Sequence, residues 1–351
     1  MKKALLLITL ALGCATVFAQ NVSKNEARQI RAFLEQPAEK EATNAAALKV
    51  SNVNNIASIE GVKVENGHVV SIEWKDKHLA GSLDLSGFTA LQKVDVSRNK
   101  IASVNVSNDV ALTEFNASRN ALTEVNFENC PALQKVSIYK NRLTDVSIEN
   151  TPALKNLNVA NNYFVTLNVS GTSIETLNCQ GNHLESLLVS GCTKLKNLYA
   201  GYNNLTQLNL FGVESLQNLN VDDNQINTMI VSGLPSLSTF VCSDNRMVTL
   251  GVRNCDALLD LVCSYNDLTT LDVQGCANLI FVDCSYNDLT TLDLANQTFL
   301  QRLLCDHNQL NTVDVSFDQA LTYINCRYNM ITDLRTIGCT SLRMVACQWN
   351  F

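Results

Sequence analysis

The chain predicts a parallel β-solenoid, and three observations predict it. An apolar strand ending in asparagine returns every 21 residues, as Leu261-Val262-Cys263-Ser264-Tyr265-Asn266 and then Val282-Asp283-Cys284-Ser285-Tyr286-Asn287. The Cys263 position recurs in register from Trp74 to Cys347. Only the step from Trp74 to Val96, which is 22, and that from Val159 to Cys179, which is 20, depart from 21, so thirteen steps span 273 residues. Numbered from its first leucine, each unit is apolar at positions 1, 4, 6, 11, 14 and 16, as at Leu258, Leu261, Cys263, Leu268, Leu271 and Val273. The alternation at positions 4 and 6 is strand periodicity, and a period of this length means stacked coils rather than a globule.

Residues 1–19 precede any of this. Lys2 and Lys3 are followed by an apolar run from Ala4 to Val17 and small residues at Val17 and Ala19. That order predicts a secretory signal peptide with the mature chain beginning near Gln20. The run is too short to span a bilayer. Leu12-Gly13-Cys14 matches a lipoprotein box loosely, but Ala11 and the apolar Val17 and Phe18 depart from it, which makes anchoring at Cys14 the weaker reading. Losing Lys2 and Lys3 with the leader takes the net charge from −7 to −9, which argues against a nucleic acid partner.

Residues 20–68 read as an amino-terminal cap. Ser23-Lys24-Asn25-Glu26 has the form of a capping box that opens a helix with Ala27, Ile30, Phe33 and Leu34 on one face, and Pro37 ends it. Gly61, Val62, Gly67, Val69, Ile72 and Trp74 then lead into the first strand.

Residues 69–351 form about fourteen turns. Position 1 is leucine in twelve of them, with Val69 and Ile174 as exceptions, so the interior is one continuous spine. With strands about 4.8 Å apart, fourteen turns make a rod of roughly 60 to 65 Å, stabilised by nearest-neighbour stacking. Position 9 is asparagine from Asn99 to Asn350, with Lys77 in the first unit. There the chain leaves the strand and exposes backbone groups, which a buried carboxamide can satisfy as both donor and acceptor. The LxxLxCxxNxL pattern resembles a bacterial leucine-rich repeat, and the 21-residue length with an inward cysteine is similar to the internalin J type. The resemblance implies a leucine-rich repeat solenoid with a parallel β-sheet on the concave face, short strands or turns on the convex face, a small α-helical cap, and a surface or secreted role in adhesion or host contact.

Of the thirteen cysteines, twelve would remain once the leader is removed, which would ordinarily suggest disulfides in an exported chain. Cys242, Cys263, Cys284, Cys305, Cys326 and Cys347 occupy one inward position in successive turns, however, and parallel side-chain vectors do not supply the twist a disulfide needs. They are expected to be free thiols packed as small apolar residues. Cys130, Cys192, Cys255, Cys276 and Cys339 lie at position 19, on the back, where only Cys255 and Cys276 are in adjacent turns and pairing stays open.

Function should sit at positions 3, 5, 7 and 8, which face outward onto the concave surface and which the period does not dictate. Lys93, Arg98, Arg119, Lys135 and Lys140 occupy them in the first half, and Asp222, Asp223, Asp244 and Asp260 in the middle. In the last five turns position 8 reads Tyr265, Tyr286, His307, Tyr328 and Trp349, with Phe281 and Tyr323 at position 3. These seven are the candidate partner-binding residues, because aromatic side chains are enriched at interface hot spots and also stack on sugars. Rings packing along the sheet edge for stability alone would give the same column. The expectation is a non-enzymatic binding protein for a protein or glycan, with no cofactor or metal and no catalytic residue. His68, His78, His183 and His307 lie in distant turns without a nucleophile at a recognisable spacing, and the three central aspartates suit a solvated strip better than a calcium site. Self-assembly is the alternative, as a homodimer through the sheet edge around Cys347, Trp349 and Phe351.

Overall fold

A computed structural model describes residues 22–148, 150–294 and 297–351; the leader and Cys14 lie outside them. Helix α1 (Lys24–Leu34) buries Ile30, Phe33 and Leu34, and Phe33 stacks on the buried Trp74 of the first turn with centroids 5.9 Å apart. The expected capping box does not form. Ser23 makes no side-chain cap bond, and Glu26 turns away to accept the Val69 N–H at 2.8 Å and bond His68 Nδ1 at 2.8 Å. A buried strand amide that would otherwise be orphaned outcompetes the local partner. A one-turn helix, α2 (Asn44–Ala47), carries the buried Asn44, whose carboxamide bonds Phe33 O, Ala80 O and Ala80 N.

Strands β1 (Val62–Glu65) and β2 (His68–Glu73) pair antiparallel around Asn66 and Gly67, both at positive φ (51° and 78°). An Asn-Gly pair is the usual sequence of such a tight hairpin. From β2 onward every strand of the fifteen-stranded main sheet is parallel to the last and in register, so that Asp260, Phe281, Arg302, Tyr323 and Met344 follow one another across it. Each main strand is about one phrase long. In Asp260–Val262 the middle residue, Leu261, is fully buried and its neighbours are half-buried. Shorter sheets, such as Thr228–Ser232 beside Thr249–Arg253 and Thr270–Asp272, line the back of the rod. Between front and back runs a single core from α1 to the last turns, with Phe115 edge-on to Phe127 at 5.0 Å.

The position 9 asparagines tie each turn to the one before. Asn266 Nδ2 donates to the position 6 carbonyls of its own turn (Cys263, 3.2 Å) and the preceding turn (Cys242, 3.1 Å), while its Oδ1 accepts the Met247 N–H at 3.0 Å. The same pattern recurs at Asn120, Asn203, Asn287, Asn308 and Asn329. Neighbouring ladder residues share the carbonyls across a turn boundary, as Asn245 and Asn266 share Cys242, so removing one leaves a buried position 11 amide without its partner.

All twelve described cysteines are free, including Cys255 and Cys276. In the inward column Cys242 to Cys326 are buried, and Cys347, in the last turn, is exposed. Burial pushes the Cys179 thiol up to about 12 and Cys326 up to about 11, so these sulfurs stay protonated. The position 19 column is not simple filler. Cys130, Cys192, Cys276 and Cys339 each donate Sγ–H to the position 16 carbonyl of the preceding turn, at 3.0, 3.0, 3.3 and 2.9 Å. Thr151 and Thr172 fill the same column and donate within their own turns at 2.7 Å.

Asp109 also stands in that column, fully buried, with Oδ1 accepting the Phe88 N–H at 2.8 Å and Oδ2 unpartnered. Burial raises its carboxyl to about 8. Asp318, in the same column, is raised to about 6 by burial and then by Asp314. An unfolded aspartate titrates near about 3.9, so the folded chain holds these protons more tightly. Their contribution is fully present below about pH 4 and is lost as pH rises through the folded values.

Two outcomes follow. Asn266→Ala orphans the Met247 amide and removes one of two carboxamide donors from the Cys242 and Cys263 carbonyls, which Asn245 and Asn287 still serve, and urea denaturation should show a loss of about 1–3 kcal/mol. Asp109→Asn keeps the acceptor and supplies a permanent donor, so the variant should gain about 1–3 kcal/mol over the parent at alkaline pH and little near about pH 4. A parent whose stability does not fall across that interval would contradict the assignment.

Candidate functional site

Position 8 lies three residues past each front strand, and its backbone is left-handed turn after turn: Arg98, Arg119, Lys140, Asn161, Gly181, Tyr202, Asp223 and Asp244 all have φ between 49° and 66°. Tyr265, Tyr286, His307, Tyr328 and Trp349 share it, with φ of 55°, 53°, 53°, 51° and 64°. The sequence reading placed these five on the concave face. They instead form a column along the edge of the sheet, where the chain turns back, while Phe281 and Tyr323 stand on the sheet face itself as position 3 residues of Phe281–Asp283 and Tyr323–Asn325.

The repeat spacing brings the edge column into a continuous stack. Ring centroids are 4.3 Å apart from Tyr265 to Tyr286, 4.0 Å from Tyr286 to His307, 4.3 Å from His307 to Tyr328 and 5.8 Å from Tyr328 to Trp349, with interplanar angles of 9°, 10°, 23° and 9°. Faces are therefore spent on neighbours and edges are turned to solvent, leaving Tyr265 50%, Tyr286 39% and Tyr328 45% exposed. Burial, followed by the Tyr265 hydroxyl beside it, raises the Tyr286 phenol above its ordinary value. His307 is fixed from one side, with Nδ1 at 2.9 Å from Asp306 Oδ2 and Asp306 Oδ1 accepting from Asn325 Nδ2 at 2.7 Å.

On the sheet face a residue that the sequence reading missed completes the second column. Arg302, at position 3 between Phe281 and Tyr323, has its guanidinium carbon 5.1 Å from the Phe281 centroid and 6.0 Å from that of Tyr323. The patch there is not purely apolar: a cation fills the gap between the rings. The signal was available, since in-register pairing places residues 21 apart side by side.

The remaining candidates stay apart. His68 bonds Glu26, His78 bonds Glu39, and His183 stacks on Tyr163 at 5.8 Å. Lys93 and Lys135 are paired on the sheet face with Glu73 (3.0 Å) and Glu114 (2.7 Å), which cancels much of the positive first half; Arg119 lies over Tyr139. Burial and neighbouring aspartates raise Asp222 and Asp244, and among the described residues no group of three or more His, Cys, Asp or Glu could hold a metal ion.

A left-handed backbone costs about 1–3 kcal/mol for a residue other than glycine, and a stacked aromatic pair returns about 0.5–1.5 kcal/mol. Tyr286→Asn gives up the stack but suits the left-handed turn, so its unfolding free energy from urea denaturation should lie within about 1 kcal/mol of the parent. A much larger loss would mean that the column exists to hold the rod together.

No protein family matches the chain, and no curated protein matches its sequence. Its likeness is to solved structures. YopM, a leucine-rich effector protein from Yersinia pestis, is similar over 74% of this chain and 78% of that one, at 22% identity with a TM-score of 0.57. The internalin InlF from Listeria monocytogenes is similar over 94% of this chain and 98% of that one, at 17% identity with a TM-score of 0.58. The functional domain of InlJ from Listeria monocytogenes, which includes a cysteine ladder, is similar over 87% of this chain and 61% of that one, at 23% identity with a TM-score of 0.44. The first two carry the comparison, and what they establish is the fold: a leucine-rich repeat solenoid of the kind internalins have.

Proposed function

We propose that this chain is an exported leucine-rich repeat binding protein that holds a protein partner at the C-terminal part of its concave sheet, with the aromatic edge as anchor, and that it performs no chemistry of its own. One observation carries the reading. Five consecutive turns place tyrosine, histidine or tryptophan at a backbone position that suits glycine and asparagine, and present their edges to solvent. A run of residues that works against local preference is a mark of function.

The composition supports a protein partner. Tyrosine, tryptophan and arginine dominate interface hot spots, and all three meet here within a few turns. A glycan held by ring faces fits less well, because neighbouring rings already cover those faces. Hydrolysis fits less well still. The Asp306–His307 pair has no nucleophile bonded to it among the described residues, and the nearby Ser285 hydroxyl is engaged with Asp283 at 2.6 Å. Export rests on the leader expected over residues 1–19, and among the described residues no helix is long and apolar enough to cross a membrane.

The test is retention of a partner from the native environment by the immobilised chain. Each hot-spot ring contributes about 2 kcal/mol, about thirtyfold in affinity, so Tyr286→Asn with Tyr328→Asn should weaken retention by well over tenfold while the melting transition stays in place. Undiminished retention by the folded double variant would end the proposal.

A further inference from the structure

We propose that Arg302 is a carboxylate-binding residue that selects an acidic side chain on the protein partner, held edge-outward for that purpose between Phe281 and Tyr323. The inference deepens the proposed function and rests on it for the identity of the partner as a protein.

Three observations lead to it. Arg302 stands on the concave sheet in Arg302–Leu304, exposed, and among the described residues its guanidinium has no ion pair and no hydrogen bond. The other two cations at sheet-face position 3 are not free in this way, since Lys93 is bonded to Glu73 and Lys135 to Glu114. The Arg302 guanidinium carbon lies over both rings, 5.1 Å from the Phe281 centroid and 6.0 Å from that of Tyr323, and both rings are themselves half-buried.

The chemistry follows from the geometry. A guanidinium that stacks between two rings leaves its N–H donors, which lie in its plane, free to point outward. Two parallel N–H groups match the two oxygens of a carboxylate. Sandwiching also removes much of the side-chain freedom that an exposed arginine would lose on binding, so less of the interaction is spent on ordering. Lysine at the same place would offer a point charge with no such fork.

The surrounding charges favour a singly charged ligand. Asp283 is diagonal to Arg302 on the adjacent strand and accepts from Ser285 at its N–H (3.1 Å) and hydroxyl (2.6 Å); Asp260 is one strand further; Asp306 is held by His307 and Asn325. Among the described residues none of these carboxylates pairs with Arg302, yet each repels an incoming anion. A dianionic phosphate is repelled about twice as strongly as a carboxylate.

The experiment uses the full chain with its arginine Nε–H groups labelled for NMR, titrated at constant ionic strength with acetate, with inorganic phosphate and with chloride. The Arg302 signal, identified by its loss in Arg302→Lys, should move saturably with acetate, less with phosphate and not with chloride. Phe281→Leu and Tyr323→Leu should each weaken the acetate response severalfold while the melting transition is retained. No saturable movement with acetate, a stronger response to phosphate, or an undiminished response in both folded leucine variants would overturn the proposal. Because acetate replaces the partner, such a failure would leave the aromatic edge as anchor untouched, and a failure of partner retention would leave this result untouched.

Discussion

The constraint on which the rest of this structure depends is the backbone at the end of each front strand. Where the chain turns inward it carries one N–H and two C=O groups into an apolar interior, and an orphaned buried group of this kind costs about 1–3 kcal/mol. The carboxamide at position 9 satisfies the N–H and shares the two C=O groups with the carboxamides of the turns on either side, as Asn266 does at Met247 and, with Asn245 and Asn287, at Cys242 and Cys263. The stack is therefore covalent along the chain and hydrogen-bonded along the rod. Positions 1, 4 and 6 then need only to fill space, and positions 3, 5 and 8 are left free to vary.

That division explains what could be read from the sequence. Period, strand position, apolar spine and asparagine ladder all follow from a constraint that acts in every turn, so each repeats and each is visible. The inward cysteines are free and buried through Cys326, as parallel side-chain vectors require. Features set by a single tertiary contact were not legible. Glu26 looks like half of a capping box until the Val69 N–H, distant in sequence, claims it. The position 19 cysteines look apolar by type, and only the placement of the position 16 carbonyl reveals them as donors. The position 8 backbone is left-handed in turn after turn, yet Arg98, Lys140 and Tyr265 give no sign of it; Asn161, Gly181, Asp223 and Asp244 are the residues that hint at a turn where side-chain identity and backbone conformation agree.

The aromatic edge is where local preference and global architecture diverge most. Tyrosine and tryptophan suit strands and fit poorly at positive φ, but the solenoid offers them stacking partners at the strand spacing, and the resulting column has its faces closed and its edges open. The sheet face beside it repeats the arrangement with a guanidinium as the middle layer. Both columns arise from one rule: residues 21 apart become neighbours, so a short run of choices in sequence becomes a continuous surface in space. The same rule places Asp109 and Asp318 among thiol and hydroxyl donors on the back, where burial favours the protonated carboxyl.

The central claim is that the asparagine ladder closes every turn onto the next, and amide hydrogen exchange tests it most directly. The position 11 amides of Leu268, Leu289 and Leu310, each bonded to the carboxamide oxygen of the following turn at 3.0 Å, should exchange as slowly as the amides of the buried front strands and together with them. Exchange of these amides at the rate of open turns, while the strand amides stay protected, would show that the turns stack without the ladder and would contradict the account.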